Sequence, residues 1–278
     1  MKVSIIGCGT MGCGIAQIIS QKGHKVIFLS HSEDSIKKGL EKLKENLIKA
    51  VEKGKLTQLE GQSILGNIKI SWNYNDTKNS DLVIEAVSED VNLKKQVFRE
   101  IDKINKNAIL ASNTSSISIS EIASATSKPE KVIGMHFFNP VPVMKLVELV
   151  RGKKTSQQTL DAVKKFVEEL GKTPVEVKDS PGFVSNRILM LFINESINLL
   201  KEGVATKEGI DTIAKLGFNH PMGPIELADY IGLDVCLDIL NSIYTATKDP
   251  KFRPSSLLEE KVKKGELGRK GGKGFYLY

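Results

Sequence analysis

Apolar positions over residues 1–180 follow two rhythms. Compact apolar runs at residues 3–6, 26–29, 82–87, 108–111 and 132–135 have strand length, and the segments between them repeat apolar residues three and four positions apart, as one face of a helix does. That spacing predicts helices over residues 11–21, 92–104 and 118–125. Ile36, Leu40, Leu43, Leu47, Ile48 and Val51 mark a longer amphipathic helix with lysines on its other face. Gly54 ends it, and residues 56–65 predict a shorter helix returning. Residues 145–150 and 174–177 are further strand candidates around a helical 157–170. Strand and helix in alternation predict βαβ units and a parallel sheet. Beyond Gly182 the rhythm is helical, over residues 183–202, 207–216, 225–247 and 255–264. The chain therefore reads as α/β: a parallel-sheet domain with a helical insertion over residues 1–180, then an all-α domain over residues 181–278.

Between the first strand and first helix lies Gly7-Cys-Gly-Thr-Met-Gly12, a G-x-G-x-x-G string in the context that dinucleotide binding requires, which makes residues 1–180 a Rossmann-type, dinucleotide-binding domain. Gly7 permits the tight turn, Gly9 lets the backbone approach a pyrophosphate, and Gly12 lets helix and strand pack closely. Thr10 and Met11 complete the turn, and the helix N-terminus offers its amides to the phosphates. The second apolar run ends in Ser30-His-Ser-Glu-Asp34, where such chains usually present a carboxylate to the adenosine ribose.

Composition narrows the function classes. A net charge of +7 favours anionic partners, but the lysines are dispersed, aromatics make up 6%, and no nucleic-acid recognition motif accompanies the charge, so nucleic acid is not the expected partner. Three cysteines (Cys8, Cys13, Cys236) make neither a disulfide framework nor a zinc site, which suits a cytoplasmic protein. The apolar run before Gly7 is too short for a signal peptide, and residues 188–193 fall far short of a membrane span, so no membrane association is expected.

Of four histidines, His136 stands out because it ends a predicted strand, on the sheet edge where βα loops place ligands. From position alone it is equally well a packed or solvated strand-end histidine.

Five segments in order resolve that choice: Gly7-Cys-Gly-Thr-Met-Gly-Cys-Gly14, Ser112-Asn-Thr-Ser-Ser116, Met135-His-Phe-Phe-Asn-Pro-Val-Pro-Val-Met-Lys-Leu-Val-Glu148, Asp179-Ser-Pro-Gly-Phe-Val-Ser-Asn-Arg187 and Asn219-His-Pro-Met-Gly-Pro224. Together with the tail from Leu267 to Tyr276, they resemble the L-3-hydroxyacyl-CoA dehydrogenases over essentially the whole chain. Within that family the single-function bacterial members acting on 3-hydroxybutyryl-CoA are nearest in length. The resemblance implies reversible NAD(P)-dependent oxidation of an (S)-3-hydroxyacyl-CoA, most simply 3-hydroxybutyryl-CoA, to the 3-ketoacyl-CoA, in butanoate or fatty acid metabolism.

It also implies roles. His136 is the general base and Glu148 the acid that orients it, a pairing that suits an imidazole exchanging protons near neutrality. Their spacing of twelve residues excludes one helix face but suits two strands joined by the Asn139-Pro-Val-Pro142 turn. Ser115 and Asn186 match the positions that donate to the substrate's oxygens. Glu89, Lys94 and Asn113 match cofactor-contacting positions. The helical insertion helps cover CoA, with Lys49, Lys53 and Lys55 placed for its phosphates, and the C-terminal helices mediate a homodimer through residues 188–200 and 233–244.

One departure from the family pattern concerns the cofactor. An acid commonly ends the second strand, and Ser30 stands there instead. Ser30-His-Ser-Glu33 has the form of a capping box, which gives Glu33 to the next helix and leaves Ser30 and His31 facing the ribose. The expectation is that NADP is accepted and preferred, with NAD use the conservative alternative. Two other readings remain: a 6-phosphogluconate-like or hydroxyisobutyrate-like dehydrogenase, which would rely on a lysine in the long helix, and a non-catalytic dinucleotide-binding or structural protein.

Overall fold

The computed structural model describes residues 1–278 and divides into two compact units, Met1–Asp179 and Ser180–Tyr278. In the first unit the sheet contains β1 (Lys2–Ile6), β2 (Lys25–Leu29), β3 (Ile68–Ser71), β4 (Leu82–Glu85), β5 (Ile109–Ser112), β6 (Val132–Phe137), β7 (Leu146–Arg151) and β8 (Thr173–Lys178). Their order in space is β3-β2-β1-β4-β5-β6-β7-β8, parallel throughout except where β6 meets β7. The connecting helices are α1 (Thr10–Gln21), α2 (Glu33–Glu52), α3 (Gln58–Gly66), α4 (Val91–Ile104), α5 (Ile119–Ala123) and α6 (Gln157–Glu169).

The predicted strands and helices of this unit are all present, with ends shifted by a few residues, and one strand escapes the apolar pattern. β3 is a four-residue edge strand, Ile68-Lys-Ile-Ser71, only partly buried, so its apolar content is too slight to stand out. The central strands read clearly because both of their faces are covered: β4 is buried at every position. Val3, Ile5, Phe28, Leu82 and Ile84 pack with Ile15 and Ile19 of α1 into one core. Each such side chain stabilises the unit by roughly 1.5–3 kcal/mol relative to exposure.

The chain runs outward from β1 through β2 to β3, then returns to place β4 against the other side of β1. This reversal opens a crevice at the carboxyl ends of β1 and β4, where doubly wound sheets bind ligands.

The second unit is helical: α7 (Ser185–Lys201), α8 (Lys207–Gly217), α9 (Pro224–Ile231), α10 (Leu233–Thr247) and α11 (Ser256–Lys263). Residues 225–247, expected as one helix, are two, because Gly232 adopts φ of 108° and interrupts the ladder. Two buried aspartates tie the tail to the bundle. Asp211 accepts the backbone N–H of Ile225 at 2.8 Å and the Tyr276 hydroxyl at 2.8 Å, and Asp229 accepts the N–H groups of Phe275 and Tyr276 at 2.9 and 2.8 Å. Exposed apolar surface concentrates on α8 and its exit, at Ile213, Leu216 and Phe218, rather than on α10, whose apolar side chains mostly fill the core. On α7, Ile188 is also exposed. No helix is long and apolar enough to cross a membrane.

Candidate active site

The turn from β1 into α1 is built by what glycine lacks. Gly7 has φ of 112°, and a Cβ there would strike the Ala86 carbonyl; a Cβ on Gly12 would strike the carbonyl of Gly7. A Cβ on Gly9, by contrast, would meet no protein atom within 4 Å. Gly9 is the N-cap of α1, no side chain caps the helix, and its first turn carries no acid. The first-turn amides therefore face open space with nothing competing for an anion, which fits a dinucleotide pyrophosphate. Thr10 opens the helix, its hydroxyl accepting from Lys42 at 2.8 Å, and Met11 is partly buried against the core.

A cleft of about 320 Å³ leads from this turn across the ends of β2 and β4, lined by Gly7, Gly9, Ser30, His31, Tyr74 and Leu93 among others. No carboxylate, lysine or arginine lines it. The capping box expected at its rim is absent. Ser32, not Ser30, caps α2, accepting the N–H of Ser35 at 3.3 Å, and Glu33 pairs with Lys37 at 2.7 Å. The reason is the missed strand: just past β2, the Ser30 N–H still bonds the carbonyl of Ser71, the last residue of β3, at 3.2 Å, and this extended hydrogen bonding delays the helix by two residues. Ser30 is buried, its hydroxyl accepting from the Cys8 thiol at 3.3 Å, and His31 is exposed.

His136 and Glu148 face each other in the antiparallel pairing of β6 with β7. Their contact, Nδ1 to Oε2, is 2.8 Å, and both side chains are buried. A carboxylate can only accept, so Nδ1 carries the hydrogen and Nε2 of the neutral ring is the nitrogen that can receive a proton. The Phe138 ring lies 4.6 Å from the imidazole, centre to centre. Asn113 fastens the neighbouring strand end, its Oδ1 accepting the Phe137 N–H at 3.0 Å.

Beneath the cleft runs a charged network that the sequence reading did not anticipate. Lys94, expected at the cofactor surface, is buried, and its ammonium meets Glu85 at 2.8 Å and Glu89 at 3.2 Å. Glu85 lies in β4 inside an apolar run and also accepts the Ser112 hydroxyl and the Val87 N–H, each at 2.7 Å. Burial holds the Glu85 pKa above its usual value, against the opposing pull of Lys94 and these hydrogen bonds. Glu89 spreads its carboxylate over the loop after β5: Oε1 accepts from the Thr114 hydroxyl at 2.6 Å and from the N–H groups of Ser115 and Ser116 at 2.9 and 3.0 Å. Burial pushes the Glu89 pKa up, but the Lys94 charge and the hydroxyl and amide donors together bring it below the usual range. Ser115 is thus held by its backbone, and its hydroxyl lies 3.3 Å from the same oxygen. A carboxylate within an apolar strand was the available signal for Glu85.

Lys49, Lys53 and Lys55 line one cleft of about 270 Å³ together with Thr10, Gln17 and the turn of residues 139–143 that follows His136. Asn186 stands in the second unit, in the first turn of α7, and is buried.

Residues 2–180 match the family model described as 3-hydroxyacyl-CoA dehydrogenase, NAD binding domain, and residues 182–278 match that of the 3-hydroxyacyl-CoA dehydrogenase C-terminal domain. The 3-hydroxybutyryl-CoA dehydrogenase of Clostridioides difficile is 50% identical over 279 residues, covering 100% of this chain and 99% of that one. The human mitochondrial hydroxyacyl-coenzyme A dehydrogenase is 41% identical over 284 residues, covering 99% of this chain and 90% of that one. Among solved structures, (S)-3-hydroxybutyryl-CoA dehydrogenase from Ralstonia eutropha superimposes with a TM-score of 0.96 at 49% identity, covering 100% of this chain and 98% of that one.

Proposed function

Because the chain belongs to the 3-hydroxyacyl-CoA dehydrogenase family, we propose that it reversibly oxidises (S)-3-hydroxybutyryl-CoA to acetoacetyl-CoA with NAD. The observation that carries this reading is the buried His136–Glu148 contact of 2.8 Å on the sheet that also carries the glycine turn. Bound at that turn, NAD supplies the acceptor for the hydride leaving C3. His136 Nε2 takes the hydroxyl proton as the carbonyl forms, and returns it in the reverse direction. Glu148 holds the ring in the tautomer with its lone pair at Nε2 and stabilises the imidazolium once formed. The Ser115 hydroxyl, on a loop fixed by Glu89, donates to a substrate oxygen. The direct test is reduction of acetoacetyl-CoA by purified protein, followed by loss of reduced-nicotinamide absorbance. No oxidation of NADH or NADPH would remove the enzymatic reading.

NADP acceptance is the finer proposal. It rests on a ribose-side cleft without a carboxylate to repel a 2′-phosphate, and with His31 exposed at its rim. Ser30→Asp should lower kcat/KM for NADPH by at least about tenfold while NADH is retained. A parent enzyme already inert with NADPH would refute the proposal.

The three lysines of the 139–143 cleft are proposed to hold the CoA phosphates. Replacing Lys49, Lys53 and Lys55 together by alanine should raise KM for acetoacetyl-CoA roughly tenfold with kcat little changed, and the KM of the parent should rise with ionic strength. An unchanged KM would move the CoA elsewhere. For assembly, the exposed Leu216 and Phe218 support pairing of two copies through the helical unit. Leu216→Asp should then sediment as a monomer at concentrations where the parent sediments as a dimer, and equal sedimentation of the two would count against that face.

A further inference from the structure

A buried ammonium bound by carbonyls rather than by a carboxylate stands beside the turn that follows His136. Lys172, in the connection from α6 to β8, is 8% exposed. Its Nζ donates to two main-chain carbonyls, that of Val141 at 2.7 Å and that of Met144 at 2.6 Å. Lysine is seldom buried without an acid, because its charge leaves water at a cost that only well-formed hydrogen bonds offset. Burial, together with the Lys145 charge, holds the Lys172 pKa below its usual value. What the ammonium accomplishes lies in the two carbonyls it joins.

Residues 139–145 cross from β6 to β7 exposed at every position except Val141. Val141 sits on α1, where a Cβ added to Gly14 would lie 2.8 Å from the Val141 Cβ, so only glycine admits the approach. That contact fixes the inner side of the turn. The N–H groups of Val143 and Met144 both go to the Pro140 carbonyl, at 2.9 and 3.0 Å, which closes the turn on itself. The outer arm, residues 142–145, is not tied to the sheet by its backbone until the Lys145 carbonyl accepts the Thr173 N–H at 2.8 Å. Lys172 spans that gap, joining the carbonyl of the residue seated on α1 to a carbonyl three residues on. Between them Val143 is 55% exposed and lines the cleft of Lys49, Lys53 and Lys55.

We propose that Lys172 is a positioning residue for the acyl-CoA: by tying Val141 to Met144 it holds the arm carrying Val143 as a fixed wall of the lysine cleft, against the CoA. This rests on the reading that seats the CoA phosphates at Lys49, Lys53 and Lys55. A wall set in advance spares the complex the ordering of a loose turn, so its loss is felt in affinity. The reacting end is held separately, since His136 and Glu148 are placed by the β6–β7 ladder and not by the turn. Methionine at position 172 would keep an unbranched apolar stem and supply no donor to either carbonyl.

The effect should divide two substrates that share the acetoacetyl thioester. Lys172→Met should raise KM for acetoacetyl-CoA about tenfold with kcat within about a factor of two, and leave KM for the N-acetylcysteamine thioester, which lacks the CoA phosphates, as in the parent. A folded Lys172→Met protein with parental KM for acetoacetyl-CoA overturns the proposal, and so does an equal change with both thioesters. Should that variant not fold, Val143→Asp decides, because its position is exposed. A carboxylate on the arm should raise KM for acetoacetyl-CoA about tenfold and spare the truncated thioester, and a parental KM for acetoacetyl-CoA overturns the proposal equally. The triple lysine variant keeps the two readings apart. If it raises KM for acetoacetyl-CoA while Lys172→Met does not, only the role of Lys172 falls; if its KM is parental, the CoA seat and this proposal fall together.

Discussion

Replacing His136 by alanine is expected to lower kcat for acetoacetyl-CoA reduction by about 10³-fold or more, since a positioned acid or base contributes roughly 10² to 10⁴. The dissociation constant for NADH should stay within about a factor of two, because the imidazole supplies none of the amides that receive the pyrophosphate. NADH affinity is also the control that separates loss of the proton carrier from loss of the fold. His136→Ala removes the imidazole that Glu148 contacts at 2.8 Å in the buried pairing of β6 with β7, and a collapsed strand pair would register as lost binding. Glu148→Gln should cost less, about 10²-fold, because the amide oxygen can still accept from Nδ1 but no negative charge faces the imidazolium. A His136→Ala enzyme with near-parental kcat would assign the proton to another group.

Lys94→Met is expected to lower the unfolding free energy of the α/β unit by roughly 3–5 kcal/mol, the usual cost of removing one partner of a buried ion pair. The Lys94 and Glu85 side chains are each 1% exposed and 2.8 Å apart, so solvent cannot replace what is lost. The deficit should depend on pH in a definite direction. Burial already holds the Glu85 pKa above its usual value, and removing the Lys94 charge removes the strongest opposing pull. In the variant the folded state keeps the Glu85 proton at pH values where the unfolded chain has released it, so stability falls as pH rises above the unfolded value of about 4.3. Urea unfolding near pH 5 and near pH 8 should therefore show the smaller deficit at the acid end. Adding Glu85→Gln to Lys94→Met should recover part of the loss and flatten the pH dependence. A deficit that is constant with pH would mean that the side-chain volume of Lys94, rather than its charge, is what the core requires.

The architecture was legible because its periodicities are strong: strands covered on both faces are continuous apolar runs, and the glycine turn has few other uses at the start of such a sheet. The His136–Glu148 pair was legible through the resemblance to the family, and the short, turn-rich chain between the two residues suits the strand pairing in which they meet. What escaped is non-local. β3 carries too little apolar surface to be noticed, and without it the true cap of α2 could not be placed. Lys94 is expected at the cofactor rather than in a buried ion pair because nothing local in the sequence shows that Glu85, nine positions earlier and in another element, faces it. The break at Gly232 was invisible for the opposite reason, since the apolar pattern continues through it while the backbone does not.

The single antiparallel seam, between β6 and β7, in an otherwise parallel sheet bears on how this enzyme can vary. Side chains along a strand alternate between faces, so moving Glu148 one residue along β7 would carry its carboxylate to the opposite side of the sheet from His136. Insertion or deletion of one residue between Leu146 and Glu148 should therefore be lethal to turnover even if the sheet still forms. The loop of residues 138–145 lies outside that constraint, because register is kept by the ladder on either side of it. Length changes there can reshape the wall of the lysine cleft without moving His136. On the proposed reading, the grip on the CoA phosphates and proton transfer are thereby open to separate adjustment, one by loop length and the other only by strand parity.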